Sequence, residues 1–150
     1  MLTTRYEAHV EPGHVMLFAR SVGDVDPCYE TQLGAEPGTA LVTPPTFVAA
    51  LDHFDPAGKT RPTLPRNEPG HGGRTDTVHA AQYFDYLAPL RVGDRIVVAT
   101  FAGQAWTKEG MSGKLEFTET VTEYRNQDGH LLVRARKVSV RVSPPSEARG

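Results

Sequence analysis

The hydrophobic rhythm of the chain changes near residue 77: between Pro12 and Phe54 apolar residues recur at helical spacing, and from Thr77 almost to the end they alternate as in strands. In the first half, Glu11-Pro12-Gly13 opens HVMLFARSV, where Val15, Leu17, Phe18 and Val22 predict one apolar side of a short helix ended by Gly23-Asp24. Asp26 has N-cap chemistry and Pro27 suits a first helical position, so DPCYETQL predicts another short helix. The third helix is the clearest. Thr43 offers a cap, Pro44 and Pro45 fit a first turn where a missing N–H costs little, and TFVAALDHF places Phe47, Ala50, Leu51 and Phe54 at helical spacing. Apolar on most sides, this helix of about three turns is expected to be buried.

Residues 55–76, DPAGKTRPTLPRNEPGHGGRTD, carry no hydrophobic period and are rich in Pro and Gly. A loop of this length inside a compact domain is usually functional or mobile, and we expect a flap at the mouth of a cleft. Strands follow over 77–86, 95–108, 114–126 and 130–142, rich in β-branched and aromatic residues and joined by PLRVGD, EGMSG and NQDG. Asp128-Gly129 is the strongest hairpin signal among these turns. The tail SPPSEARG, residues 143–150, is too polar and proline-rich to extend a sheet and is expected to be disordered. Helices gathered early, one of them buried, followed by four long antiparallel strands, predict one α+β domain over residues 1–142 with a sheet wrapped around a central helix. A free sheet edge would normally pair with a second copy or a relative.

Composition narrows the partners. With 23% charged residues and a net charge of −2, the 150-residue chain has no electrostatic footprint for polyanions, so nucleic acid is not an expected partner. No apolar run has the length of a membrane span, and MLTTRYEAHVEPGH lacks the regions of a signal peptide, which predicts a cytoplasmic address. The lone Cys28 has no cysteine to pair with, in keeping with a reducing compartment.

Candidate chemistry concentrates in SVGDVDPCYE. Asp24, between Gly23 and the Asp26-Pro27 pair, is either a turn residue or an acid placed at a site. Tyr29 is either a core tyrosine with its hydroxyl at a cavity surface or a hydrogen-bonding group for a ligand. Cys28 beside them reads better as an inert small thiol than as a nucleophile. Of the six histidines, His53 lies on the central helix and His79 near a strand start, where it could line a cleft; His71 in GHGGR has no second ligand at metal spacing, and no metal is expected. The glycines of PGHGGR lack the Lys-Ser/Thr of a phosphate loop. Lys59, Arg61, Arg66 and Arg74 read either as a solvated loop or as a weak contact for nucleotide phosphates.

Gly23-Asp24-Val25-Asp26-Pro27-Cys28-Tyr29 resembles G-D-x-N-P-[LIV]-H, the signature of the hotdog-fold thioester hydratases and dehydratases of the MaoC type. HVMLFARSVGD, TPPTFVAALDHFDP, AQYFDYLAPLRVGD and GKLEFTETVTEYRNQDG are similar to the N-terminal FAS1-like dehydratase branch, so the resemblance spans most of the chain. It implies a hotdog fold that binds acyl thioesters of coenzyme A or of an acyl carrier protein, with no other cofactor, and adds water reversibly to trans-2-enoyl thioesters to give (3R)-hydroxyacyl products. The implied partners are the thioester and a second hotdog subunit, identical or related. The implied catalytic pair is an Asp and a His five residues on, assisted by N–H donors at the central helix start.

The chain departs from that pattern twice. Asp24 matches the family carboxylate, but Tyr29 stands where the histidine belongs, and a phenol is a poor base at neutral pH. The oxyanion donor falls near Pro44, which has no N–H; Thr46 and Phe47 are expected to keep theirs free. The expected site therefore comprises Asp24 and Tyr29 in the catalytic positions, with Pro44, Thr46, Phe47 and His79 on the substrate. The resemblance then implies the acyl-binding half of a double-hotdog pair. A self-sufficient homodimeric enoyl-coenzyme A hydratase using Asp24, and a silent acyl-binding or scaffolding hotdog, remain open beside it; thioester hydrolysis fits the signature less well.

Overall fold

The computed structural model describes residues 1–31, 41–57, 77–110 and 113–143. The end of the second helix, nearly all of the expected flap and the tail beyond residue 143 lie outside the described residues. Five strands form one antiparallel sheet: β1 (Leu2–His9), β2 (Thr77–Tyr86), β3 (Arg95–Gly110), β4 (Gly113–Arg125) and β5 (Leu131–Ser143), in the order β1-β3-β4-β5-β2. Among the described residues the helices are α1 (Pro12–Ser21), α2 (Cys28–Thr31) and the central helix (Pro45–Phe54).

The four strands expected after residue 77 form where the alternation placed them, within two residues at each end. β1 corrects the reading of the N-terminus, which assigned no strand there. Tyr6, Ala8 and Val10 alternate with polar residues and are all buried, and the segment adds to β3 as an edge strand, with Tyr6 opposite Val98. One face of the sheet packs on the central helix. Tyr6, Val98, Tyr124 and Val133 share a register row there and meet Phe47, Val48 and Leu51 in a continuous core. Each such side chain removed from water contributes about 2 to 3 kcal/mol, which makes this row the main anchor of the helix.

The helix itself differs from expectation in three ways. It winds as a 3₁₀ helix, and from its first turn the Phe47 N–H bonds back three residues to the Pro44 carbonyl at 2.9 Å. Its buried residues are Phe47, Val48 and Leu51, while Phe54, the last residue of the helix, reaches the surface. Thr43 is not its cap: buried, it donates its N–H to the Leu90 carbonyl at 3.0 Å, and Pro44 takes the capping position. In α1 the inward residues are Val15 and Ala19, with Phe18 packed against the core; Leu17 and Val22 are exposed, since Leu17 points away from Val15 and Val22 lies past the last helical residue.

Beyond the helix, β3 carries an irregularity between Ala102 and Ala105 opposite Glu119. A Cβ on Gly103 would come 2.6 Å from Glu119 Oε1, so glycine is required for the strands to approach there. No helix among the described residues is long and apolar enough to cross a membrane.

Candidate active site at the start of the central helix

The turn after α1 is built by its own sequence. Gly23 has φ +78°, the left-handed conformation glycine adopts without strain, and closes the helix as its N–H and that of Asp24 reach the carbonyls of Arg20 (3.2 Å) and Ala19 (2.9 Å). Asp24 Oδ1 accepts the Asp26 N–H at 3.2 Å, and Asp26 Oδ1 accepts the Cys28 N–H at 2.9 Å, capping α2. An exposed Arg20–Glu30 ion pair at 2.7 Å spans the two helices and adds little stability.

Within this turn the two expected catalytic positions are brought together. The Tyr29 phenol is pushed above its ordinary range by burial, then by the negative charge of Asp24 beside it. Its ring packs against the core cluster that contains Phe47. Cys28 is likewise pushed up by burial and then by its hydrogen bond to Asp26, so the thiol stays protonated and a poor nucleophile. Asp26 is held below the usual carboxylate range by the Cys28 hydrogen bonds.

A cleft lies at the start of the central helix. The segment before the helix pairs with the 90–92 stretch, Thr43 N–H to Leu90 and Val92 N–H to Leu41 (2.8 Å), and Tyr86 Oη donates to the Pro45 carbonyl at 2.9 Å. Between them is a cavity of about 380 Å³ with Val42, Thr43, Pro45, Tyr86 and Leu87 in its wall. α1 is joined to this end of the helix by an edge-to-face contact of Phe18 on Phe47, 5.5 Å between ring centres.

The expected substrate-binding residues divide. Pro44 is buried at the cap and offers no N–H. Thr46 is exposed, and its N–H has no backbone partner among the described residues. Phe47 is corrected: its N–H is spent inside the helix on the Pro44 carbonyl, so it cannot serve a ligand. His79 is corrected as well. It is exposed on β2 with Nε2 3.0 Å from the Ala81 carbonyl. Seven residues of strand, about 23 Å, separate it from Tyr86 at the cleft. Tyr86 is the residue the sequence reading missed; its signal, an aromatic ending a strand, is too common to single out.

A family model for the FAS1-like dehydratase domain region matches residues 2–135. The chain belongs to that family. Among solved structures, this FAS1-like dehydratase region is similar to the HadBC (3R-hydroxyacyl-ACP dehydratase) complex of Mycobacterium tuberculosis, with a TM-score of 0.63 and 22% identity over 93% of this chain and 94% of that one. It is also similar to the ChsH1-ChsH2 complex of the same organism, TM-score 0.69 and 15% identity over 98% and 87%. The (R)-hydratase of A. caviae gives a TM-score of 0.58 and 18% identity, covering 93% of each chain. At such identities the likeness is one of fold, and that fold is the hotdog. A UPF0336 protein of Streptomyces coelicolor is 36% identical over 89 residues, covering 55% of this chain and 53% of its own length. The FAS1-like region thus spans about half the length of the curated relatives it matches.

Proposed function

We propose that the chain is the acyl-binding half of a (3R)-specific enoyl-thioester hydratase, or of a 3-hydroxyacyl-thioester dehydratase in the reverse direction. A second hotdog subunit with an intact Asp and His would complete it. The observation that carries this reading is that Tyr29 lies within the electrostatic reach of Asp24, the two residues at the hydratase positions. Water addition needs a base for one water proton, while the oxygen bonds to C3 and C2 is protonated. A phenol pushed above its ordinary range by burial and by Asp24 stays neutral and cannot accept that proton, although the pair can hold a water or a thioester polar group. Pro44 at the cap and the internally bonded Phe47 N–H leave Thr46 alone among those three positions to polarise a thioester carbonyl. Both deficits fit a subunit that binds while another reacts. The heteromeric assembly of HadBC and of ChsH1-ChsH2 supports such a pairing. So does β2, an edge strand with Val78 and Tyr83 about half exposed. The acyl group would arrive on coenzyme A or an acyl carrier protein, with no further cofactor.

Steady-state hydration of crotonyl- and longer enoyl-coenzyme A by the purified chain tests this. Expected is negligible turnover that a hotdog subunit with an intact signature restores, with the pair indifferent to Asp24→Asn. Robust turnover by the chain alone, abolished in Asp24→Asn, would instead make Asp24 the base of a self-sufficient homodimer.

A further inference from the structure

The sheet face that seats the central helix changes character one row further on. Where Tyr6, Val98, Tyr124 and Val133 are apolar neighbours, the next row holds Thr4, Thr100 and Thr122, and the row after it Thr120, Lys137 and Gln82. Thr100 and Thr122 hydroxyls meet at 3.1 Å. Above these rows the central helix presents Asp52, whose Oδ1 accepts the Tyr124 hydroxyl at 2.7 Å. Asp52, Gln82, Thr100, Thr120 and Thr122 line a cavity of about 230 Å³ together with Tyr124, Ala135 and Lys137. A wall of hydroxyls, an amide and a carboxylate suits a ligand that exchanges hydrogen bonds with it.

This cavity lies in line with the cleft at the helix start. Tyr86, Phe84 and Gln82 point to one side of β2, opposite Val133, Ala135 and Lys137 of β5. Tyr86 walls the cleft, Gln82 walls the polar cavity, and Phe84 between them stacks on Tyr86 at 5.8 Å. Four residues of strand span about 13 Å. On the helix side, Pro45 to Asp52 is seven residues, about 14 Å at the 3₁₀ rise. The two spans agree, as they would if the helix and β2 border one groove. We propose that the Asp52–threonine cavity is a subsite for the far end of the acyl group, and that the acyl group carries a neutral oxygen there, a hydroxyl or a keto group. A methyl end would leave the polar groups of this wall covered and unanswered; a hydroxyl can both donate to Asp52 and accept from a threonine. Asp52 and Lys137 bring opposite charges to the wall, which leaves no net charge to recruit an ionic end.

The inference rests on the acyl-thioester reading, and decanoyl-coenzyme A separates the two. Isothermal titration of the full chain with decanoyl- and 10-hydroxydecanoyl-coenzyme A is expected to show the hydroxylated thioester binding about tenfold more tightly. Thr122→Val, which keeps the shape and removes the hydroxyl, is expected to bring the two affinities within about twofold of one another, and Thr120→Val, at a more exposed position of the same wall, to reduce the gap. Circular dichroism of both variants confirms folding. Equal affinities in the wild type overturn the subsite while leaving acyl-thioester binding standing, as does a preference that survives both substitutions. If neither thioester binds, acyl-thioester binding falls and the subsite with it.

Discussion

Asp24 and Asp52 each accept a hydrogen bond at Oδ1, yet they belong to different kinds of structure. Asp24 accepts a hydrogen bond from an N–H two residues along its own chain, in a turn closed by Gly23. Asp52 accepts one from Tyr124, 72 residues away, across the seam between helix and sheet. Burial pushes the Asp52 carboxyl above the usual range, and the Tyr124 hydrogen bond only partly counters it. A carboxylate held by its own turn costs the fold little, whereas one held across the core depends on the helix, the sheet and their register at once. The difference teaches where stability and specificity should separate.

The largest test of that contrast removes the seat of Asp52. Leu51 is fully buried and its carbonyl accepts the Tyr6 hydroxyl at 2.9 Å, so Leu51→Ala is expected to cost about 2 to 5 kcal/mol in urea unfolding. Tyr124→Phe, which leaves Asp52 without that donor, is expected to cost about 1.5 to 3 kcal/mol, less in an Asp52→Asn background.

The pH dependence follows from the same carboxyl. Its folded pKa is raised, so between the ordinary carboxylate range and that raised value the folded chain holds the extra proton, and stability falls as pH rises through the window. Urea midpoints against pH are expected to show this slope, extending to higher pH in Tyr124→Phe, and Asp52→Asn to lack its contribution.

On the local side the effects shrink. Gly23→Ala places a Cβ at φ +78°, with an expected cost of about 1 to 2 kcal/mol by the same measurement. Asp24→Asn keeps an oxygen for the Asp26 N–H, and its expected change is below about 0.5 kcal/mol. A loss larger than that of Gly23→Ala would mean that the Asp24–Tyr29 interaction, and not the turn, holds this segment.

The chain order alone determined whatever depends on neighbours within a few residues. Alternation placed β2 to β5, Gly23-Asp24 marked the end of α1, and Asp26 marked the cap of α2. Even β1 was legible in the alternation of Tyr6, Ala8 and Val10. Tertiary structure decided what depends on distant partners. Thr43 looked like a cap until Leu90 took its N–H, Phe47 looked free until the tight winding used its donor, and His79 looked close to a cleft that β2 carries it away from. Asp52, Gln82, Thr100 and Thr122 are unremarkable in sequence because each comes from a different element, and only strand register and the helix laid across it bring their polar groups to one cavity. Hydrogen bonds between close neighbours are set by local backbone geometry; those spanning scores of residues exist only once burial of the apolar row has fixed where the elements lie.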